Sequence, residues 1–172
     1  MPAATESDRR DVFARLTATE LSRTYRLATR ILGNRGDAED CVNEAVLRAW
    51  DSFDGLRDLD KFGPWLIRIV VNVCRNDLRR RRVVQIEPLA EDDLQADDPF
   101  EGGLLSDAVA HALDCLSPDQ RVAVVLRFWN DLRVDEIARI LRVPGGTIKW
   151  RLHTANRRLK AELGRLGWEV ER

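Results

Sequence analysis

Apolar residues recur at helical spacing along almost the whole chain, and no stretch alternates strongly enough to predict a strand. The pattern therefore predicts an all-α fold. "ELSRTYRLATRIL" (20–32) reads as an amphipathic helix that stops at Gly33, a residue suited to a C-cap. A second helix follows in "GDAEDCVNEAVLRAW" (36–50). Asp37 is its expected N-cap, and Glu39 and Asp40 fall in the first turn, where the helix dipole favours anions. "DSFDGLRDLDKF" (51–62) reads as a loop. Pro64, which fits a first helical position, then opens "PWLIRIVVNVCRNDLRRRR" (64–82).

The helical pattern breaks in "VQIEPLAEDDLQADDPFEGG" (84–103). This stretch holds Glu87, Glu91, Asp92, Asp93, Asp97, Asp98 and Glu101, no Lys or Arg, and the breakers Pro88, Pro99, Gly102 and Gly103. Like charges should keep it extended, so it reads as an acidic flexible linker. Two small helical domains are expected on either side, 1–83 and 106–172, with the linker at 84–105.

Beyond the linker, "LLSDAVAHALDCL" (104–116) predicts an amphipathic helix. Ser117, Pro118 and Gln120 then form a capping-box pattern, opening a helix that should end near Asn130. "VDEIARIL" (134–141) is a short helix, "RVP" a tight turn, and a long helix begins at Pro144. Two helices joined by three or four residues, the second rich in Arg and Lys, predict a helix-turn-helix. Ala138 is small enough to let the two cross closely, and Ile137, Leu141, Ile148 and Leu152 would fill the contact.

On a wheel of about 100° per residue, Ile148, Leu152, Ala155 and Leu159 cluster on one face, and Trp150 falls roughly 200° from Ile148. Thr147, His153, Thr154 and Arg157 lie beside Trp150, and Lys149, Arg151 and Arg158 flank that face. Trp150 is expected to point outward among polar and basic side chains. Such a face suits DNA: the basic groups neutralise phosphates, and the start of a recognition helix reaches base edges. The competing readings are a solvated basic face, or packing of Trp150 on a neighbouring domain.

A second basic stripe runs along the helix from Pro64. Arg68, Asn72, Arg75, Arg79 and Arg82 share one face, while Leu66, Val70, Val73 and Cys74 face elsewhere as core. The arginines at 79–82 complement a helix C-terminus in any case. They also suit a phosphate track, with the Asn amide free to read a base. Asp77 is expected to anchor a neighbouring Arg.

Composition narrows the picture little. With 172 residues, 44% hydrophobic and 33% charged, the chain can bury a core in one domain or two small ones and should be soluble. The formal net charge of −1 favours no partner; only its distribution along the chain does. No apolar run is long enough to span a membrane, and the N-terminus lacks the apolar stretch of a signal peptide. Cys41, Cys74 and Cys115 form no C-x-x-C, and His111 and His153 lie far apart, so neither disulfides nor a metal site is expected. The cysteines read as small buried hydrophobes in a reducing cytoplasm. No nucleophile–base pair or phosphate loop is visible, which argues against an enzyme and against a cofactor.

The residues now match a family. "YRLATRILGNRGDAEDCVNEAVLRAW" (25–50) resembles the polymerase-binding segment of bacterial sigma-70 factors of the extracytoplasmic function (ECF) class. "FGPWLIRIVVNVCRNDLRRRR" (62–82) resembles their minus-10 segment, and "LSPDQRVAVVLRFWNDLRVDEIARILRVPGGTIKWRLHTANRRL" (116–159) their fourth domain. The resemblance covers nearly everything from Leu21 to Leu163 except the linker. It implies a cytoplasmic transcription initiation factor, not an enzyme, that brings core RNA polymerase to promoters and helps to open the DNA.

It also implies roles. Asp40, Asn43, Glu44 and Leu47, on one helical face, would dock on the clamp helices of the polymerase's largest subunit; Asp40 also serves its helix dipole. The loop 54–62, with Lys61 and Phe62, would capture a flipped base of the minus-10 non-template strand. Arg68, Asn72, Arg75, Asn76, Arg79 and Arg80 would line that strand. Thr147, Lys149, Trp150, Arg151, His153, Thr154, Arg157 and Arg158 would read the minus-35 element. The linker would thread the polymerase's active-site and RNA-exit channels, and an anti-sigma factor would hold the protein inactive. No third domain is expected after Arg172.

The chain departs from the family pattern in places. Asn43 stands for the usual Gln, and Ala45-Val46 for a larger pair. Arg133 replaces a Ser/Thr cap, a loss of about 1 kcal/mol that Asp135 would partly recover. Gly145 beside Gly146 weakens a helical turn by up to about 1 kcal/mol each, but allows close approach to DNA. Trp150 replaces a small hydroxylic residue. The alternative class is a stand-alone helix-turn-helix regulator, which would need a dimer surface and palindromic half-sites.

Overall fold

The computed structural model describes residues 6–84 and 103–167. Among them every regular element is helical. The expected acidic linker at 84–105 falls almost wholly outside the described residues. The chain divides into two compact units, Met1–Asn76 and Asp77–Arg172.

In the first unit, α1 (Glu6–Leu32) pairs with α2 (Arg35–Ser52), and two short 3-10 turns, Phe53–Gly55 and Leu59–Lys61, lead into α3 (Phe62–Val84), whose residues from Asp77 onward belong to the second unit. The helix expected from Glu20 begins fourteen residues earlier, at Glu6. Its first turns are mostly polar, so periodicity alone does not find them. Acidic Glu6 and Asp8 favour the start through the dipole, and buried Phe13 anchors it. As expected, Gly33 ends the helix: its φ is +87°, and its N–H donates to Thr29 O at 2.7 Å.

The N-cap of α2 is Asn34, not Asp37. Asn34 Oδ1 accepts from Asp37 N at 2.8 Å, and Asn34 Nδ2 donates to the Asp37 carboxylate. Asp37 therefore sits in the first turn, where its charge still meets the dipole. The buried face of α2 holds Ala38, Cys41, Val42, Ala45 and Ala49, small residues that let it lie close to Leu27, Ala28 and Ile31 of α1. The small Ala45 is thus a packing residue.

Helix α3 starts at Phe62, two residues before Pro64. Gly63 meets the Glu20 carboxylate so closely that an added Cβ would lie 2.8 Å from Oε1, a spacing only glycine tolerates without displacing that side chain.

In the second unit, α4 (Gly103–Asp114), α5 (Pro118–Phe128), α6 (Val134–Leu141) and α7 (Gly145–Arg165) form a small bundle around α7. Leu113, Leu116, Val124 and Ala155 make one buried cluster, with Val109, Cys115, Leu152 and Leu159 against it. Ser117 opens α5 with the expected capping box: Ser117 Oγ accepts from Gln120 N at 3.3 Å, and Gln120 Oε1 accepts from Ser117 N at 3.1 Å.

Helices α6 and α7 form the expected helix-turn-helix. Arg142 takes the left-handed conformation (φ 53°, ψ 48°), and Val143 N–H closes on Ala138 O at 3.1 Å. Ile137, Leu141 and Ile148 are buried between the elements. The missing Ser/Thr cap of α6 is offset differently from expectation. Glu136 Oε2 reaches back to accept from Arg133 N at 2.7 Å, so half of a capping box survives. Asp135 also pairs with Arg133 Nε at 3.2 Å.

Candidate docking and nucleic-acid faces

Helix α7 sorts its residues as the wheel predicts. Ile148 and Ala155 are fully buried, and Trp150, on the opposite side, is 62% exposed. Lys149, His153, Arg157 and Arg158 are exposed beside it, while Thr147 and Thr154 are half-buried. Neither glycine of the first turn is forced by packing: a Cβ on Gly145 would meet only Val134 Cγ1 at 3.9 Å, and one on Gly146 would meet nothing.

Arg151 departs from the expectation. Its side chain is only 12% exposed, and Nη2 lies 3.1 Å from Asp119 Oδ2 in the first turn of α5. It holds α7 to α5 and does not present its charge outward. The wheel put Arg151 about 60° from Ile148, near the seam, and its long stem folds inward once an acid waits there. Seven residues on, Arg158 Nη1 donates to Gln120 Oε1 at 3.0 Å but keeps an exposed flank.

Helix α3 also has two faces. Leu66, Ile67, Val70, Val71, Val73 and Cys74 are buried. Arg68, Asn72 and Arg75 are half-buried on the other side, and Asn76, Arg79, Arg80 and Arg82 are exposed. Asp77 is the buried anchor expected of it: at 7% exposure it pairs with Arg80 Nη2 at 2.6 Å and Arg81 Nε at 2.5 Å. Arg80 itself stays mostly in solvent.

Phe62 is the second correction. It is 2% exposed, with ring centroids 5.8 Å from Phe13, 6.0 Å from Phe53 and 5.7 Å from Trp65. A ring held edge-on by Phe13 and Phe53 and covered by a tilted Trp65 is core, and it cannot offer a surface to an extruded base. Its neighbour Lys61 is exposed and pairs with Asp58 Oδ2 at 3.0 Å. That contact holds the Asp58 carboxyl below the usual carboxylate range, as does the Asp60 N–H it accepts.

On α2, Asp40, Asn43, Glu44 and Leu47 are all exposed on one face. Leu47 is 67% exposed, and Glu44 pairs with Arg48 at 2.5 Å. An apolar side chain so exposed among acids is a surface feature with no role in the domain's own packing. Among the described residues, no group of His, Cys, Asp or Glu is placed to hold a metal ion, and no helix is long and apolar enough to cross a membrane.

The geometry defines a helix-turn-helix protein with a second, separate helical unit. The sigma-70 region 2 model matches residues 16–83, and the sigma-70 region 4 model matches residues 106–159. The chain is 35% identical over 151 residues to the ECF RNA polymerase sigma factor SigM of Mycobacterium tuberculosis, covering 88% of this chain and 75% of that one. It is 34% identical over 157 residues to the ECF RNA polymerase sigma factor SigE of Mycolicibacterium smegmatis, covering 87% of this chain but only 61% of that longer protein. Among solved structures, the sigma factor RpoE of Bartonella quintana, bound to the anti-sigma factor NepR, matches with a TM-score of 0.68 and 28% identity, over 88% of this chain and 96% of that one. The chain belongs to the sigma-70 family of RNA polymerase sigma factors, in its extracytoplasmic function class. Members of this family direct RNA polymerase in transcription initiation, and that is the function of this chain.

Proposed function

We propose that this protein reads promoters through two faces and docks on polymerase through a third. The minus-35 reader is the outward side of α7, carried by Thr147, Lys149, Trp150, His153, Thr154, Arg157 and the exposed flank of Arg158. Carrying this reading is the 62% exposure of Trp150 directly opposite buried Ile148. Basic groups there would neutralise phosphates, and the indole would meet a thymine methyl or a sugar edge.

The minus-10 strand would run along Arg68, Asn72, Arg75, Asn76, Arg79 and Arg80 of α3, beside the loop 54–61 with Lys61. Extruding a base costs a few kcal/mol, so a preformed loop with adjacent backbone contacts is what the step requires. Asp40, Asn43, Glu44 and Leu47 would dock on the clamp helices of the largest polymerase subunit. Residues 1–83 and 106–172 would act as the two DNA-binding domains, with 84–105 as the tether through the polymerase channels. The protein would work in the cytoplasm, carry no catalytic activity of its own, and be held inactive by an anti-sigma factor, as the Bartonella relative is seen bound to one.

Run-off transcription with core polymerase on a randomised promoter pool tests the reading. Enrichment of one spaced pair of elements is expected, and Leu47→Asp should abolish initiation by preventing assembly with core enzyme. A palindromic footprint without polymerase would instead support the stand-alone regulator.

A further inference from the structure

The first turns of α1 lie before residue 16, where the match to sigma-70 region 2 begins. They nevertheless grip the loop proposed to receive the flipped base. That loop, 54–61, is bracketed by two buried aromatics, Phe53 and Phe62, whose ring centroids are 6.0 Å apart. Both meet Phe13 edge-on, at 5.1 and 5.8 Å. One residue of α1 thus holds both ends of the loop together.

Arg9 lies one helical turn before Phe13, on the same face of α1. Its guanidinium carbon sits 4.1 Å from the centre of the Trp50 ring. Nη2 donates to the Trp50 carbonyl at 3.2 Å, and Nε is 2.6 Å from Asp54 Oδ1. Trp50 is in the last turn of α2 and Asp54 is the first residue of the loop. A planar guanidinium can lie over a ring while its edge serves a carbonyl and a carboxylate; a lysine ammonium cannot do all three.

We propose that Arg9 is a positioning residue for minus-10 recognition: by tying Asp54 to the end of α2, it holds the loop in the shape that receives the flipped base, without touching DNA. This rests on the assignment of base capture to loop 54–61. A loop ordered beforehand loses less freedom on binding, so the effect of Arg9 falls on the flipping equilibrium and not on assembly with polymerase.

The test uses holoenzyme made with the full chain and a duplex promoter carrying 2-aminopurine in the minus-10 non-template strand. Arg9→Ala should lower the flipping equilibrium about fivefold, the equivalent of one lost cation–π contact. Arg9→Lys should restore it only in part. Binding to core enzyme and initiation from a pre-melted promoter with the base already unpaired should match wild type. Replacement of residues 56–60 by a glycine-serine linker is the companion variant. If that linker abolishes flipping and Arg9→Ala does not, the role of Arg9 is overturned and the loop assignment stands. If the linker variant flips normally, the loop assignment itself is overturned. Equal loss by Arg9→Ala on duplex and pre-melted promoters would mark Arg9 as merely structural and overturn the proposal.

Discussion

Arg151 Nη2 lies 3.1 Å from Asp119 Oδ2, so the arginine that follows Trp150 in sequence belongs to the interior of its domain. Gln120, the next residue of α5, holds Arg158 on the same flank of α7 while completing the cap at Ser117. The first turn of α5 therefore fixes α7 at two points. Arg151→Ala would remove one of the two arginines that meet Asp119, leaving Arg79 Nη2 at 2.9 Å as the other, and should lower stability by about 1 kcal/mol. Chemical denaturation checks this. Lys149→Ala, on the exposed side, should leave stability alone and reduce the salt dependence of promoter binding by about one phosphate.

Trp150→Ser should leave the melting temperature almost unchanged, because exposed substitutions shift stability by only about 0.5 kcal/mol. It should change which minus-35 sequences emerge from a randomised pool, since serine cannot make the indole's apolar contacts. Unfolding of this variant would mean that Trp150 serves the domain's core.

Phe62→Ala removes a ring packed against three others and should destabilise the first domain by about 3–5 kcal/mol. Loss of transcription by this variant should be accompanied by loss of cooperative unfolding. A folded Phe62→Ala that fails only in promoter opening would restore the ring to the DNA-binding surface.

Gly146→Ala places a methyl where nothing lies within 4 Å and should raise stability by up to about 1 kcal/mol. Transcription that depends on the minus-35 element should fall if the bare backbone approaches DNA. A variant both more stable and equally active would show that the second glycine has no role in reading.

Burial pushes the Cys115 thiol above its usual 9.0, and the nearby Glu162 carboxylate adds to this. At about pH 8 the native thiol therefore holds less thiolate than the unfolded one, and alkylation should be slower in native protein. The sign follows from the raised value: the native deficit shrinks as pH climbs past it. Cys41 and Cys74 are buried, so Cys115 should be the first of the three to react. Mass spectrometry of partly alkylated protein checks the order.

Much of the fold was legible because its signals are local. Ser117, Pro118 and Gln120 carry their capping box within four residues, and Gly33 its left-handed stop in one. The outward position of Trp150 follows from helical geometry alone. The face of Asp40, Asn43, Glu44 and Leu47 needed only i, i+3, i+4 spacing, and the basic face of α3 only the apolar residues opposite it.

One failure was local, Asn34 taking the cap expected of Asp37; at the two DNA faces, a side chain was claimed by a partner far along the chain. Phe62 looked like the end of a DNA-facing loop until Phe13 and Phe53 closed on it. Arg151 looked like one more cation in a basic helix until Asp119 drew it inward. The first turns of α1 looked featureless because the groups that Arg9 meets, Trp50 and Asp54, lie some forty residues away. Periodicity and caps determined which segments are helices and which faces are apolar, because those depend on neighbours within a turn or two. Only the tertiary structure decided which charged and aromatic residues remain on the surface, because burial depends on the residue waiting across the interface.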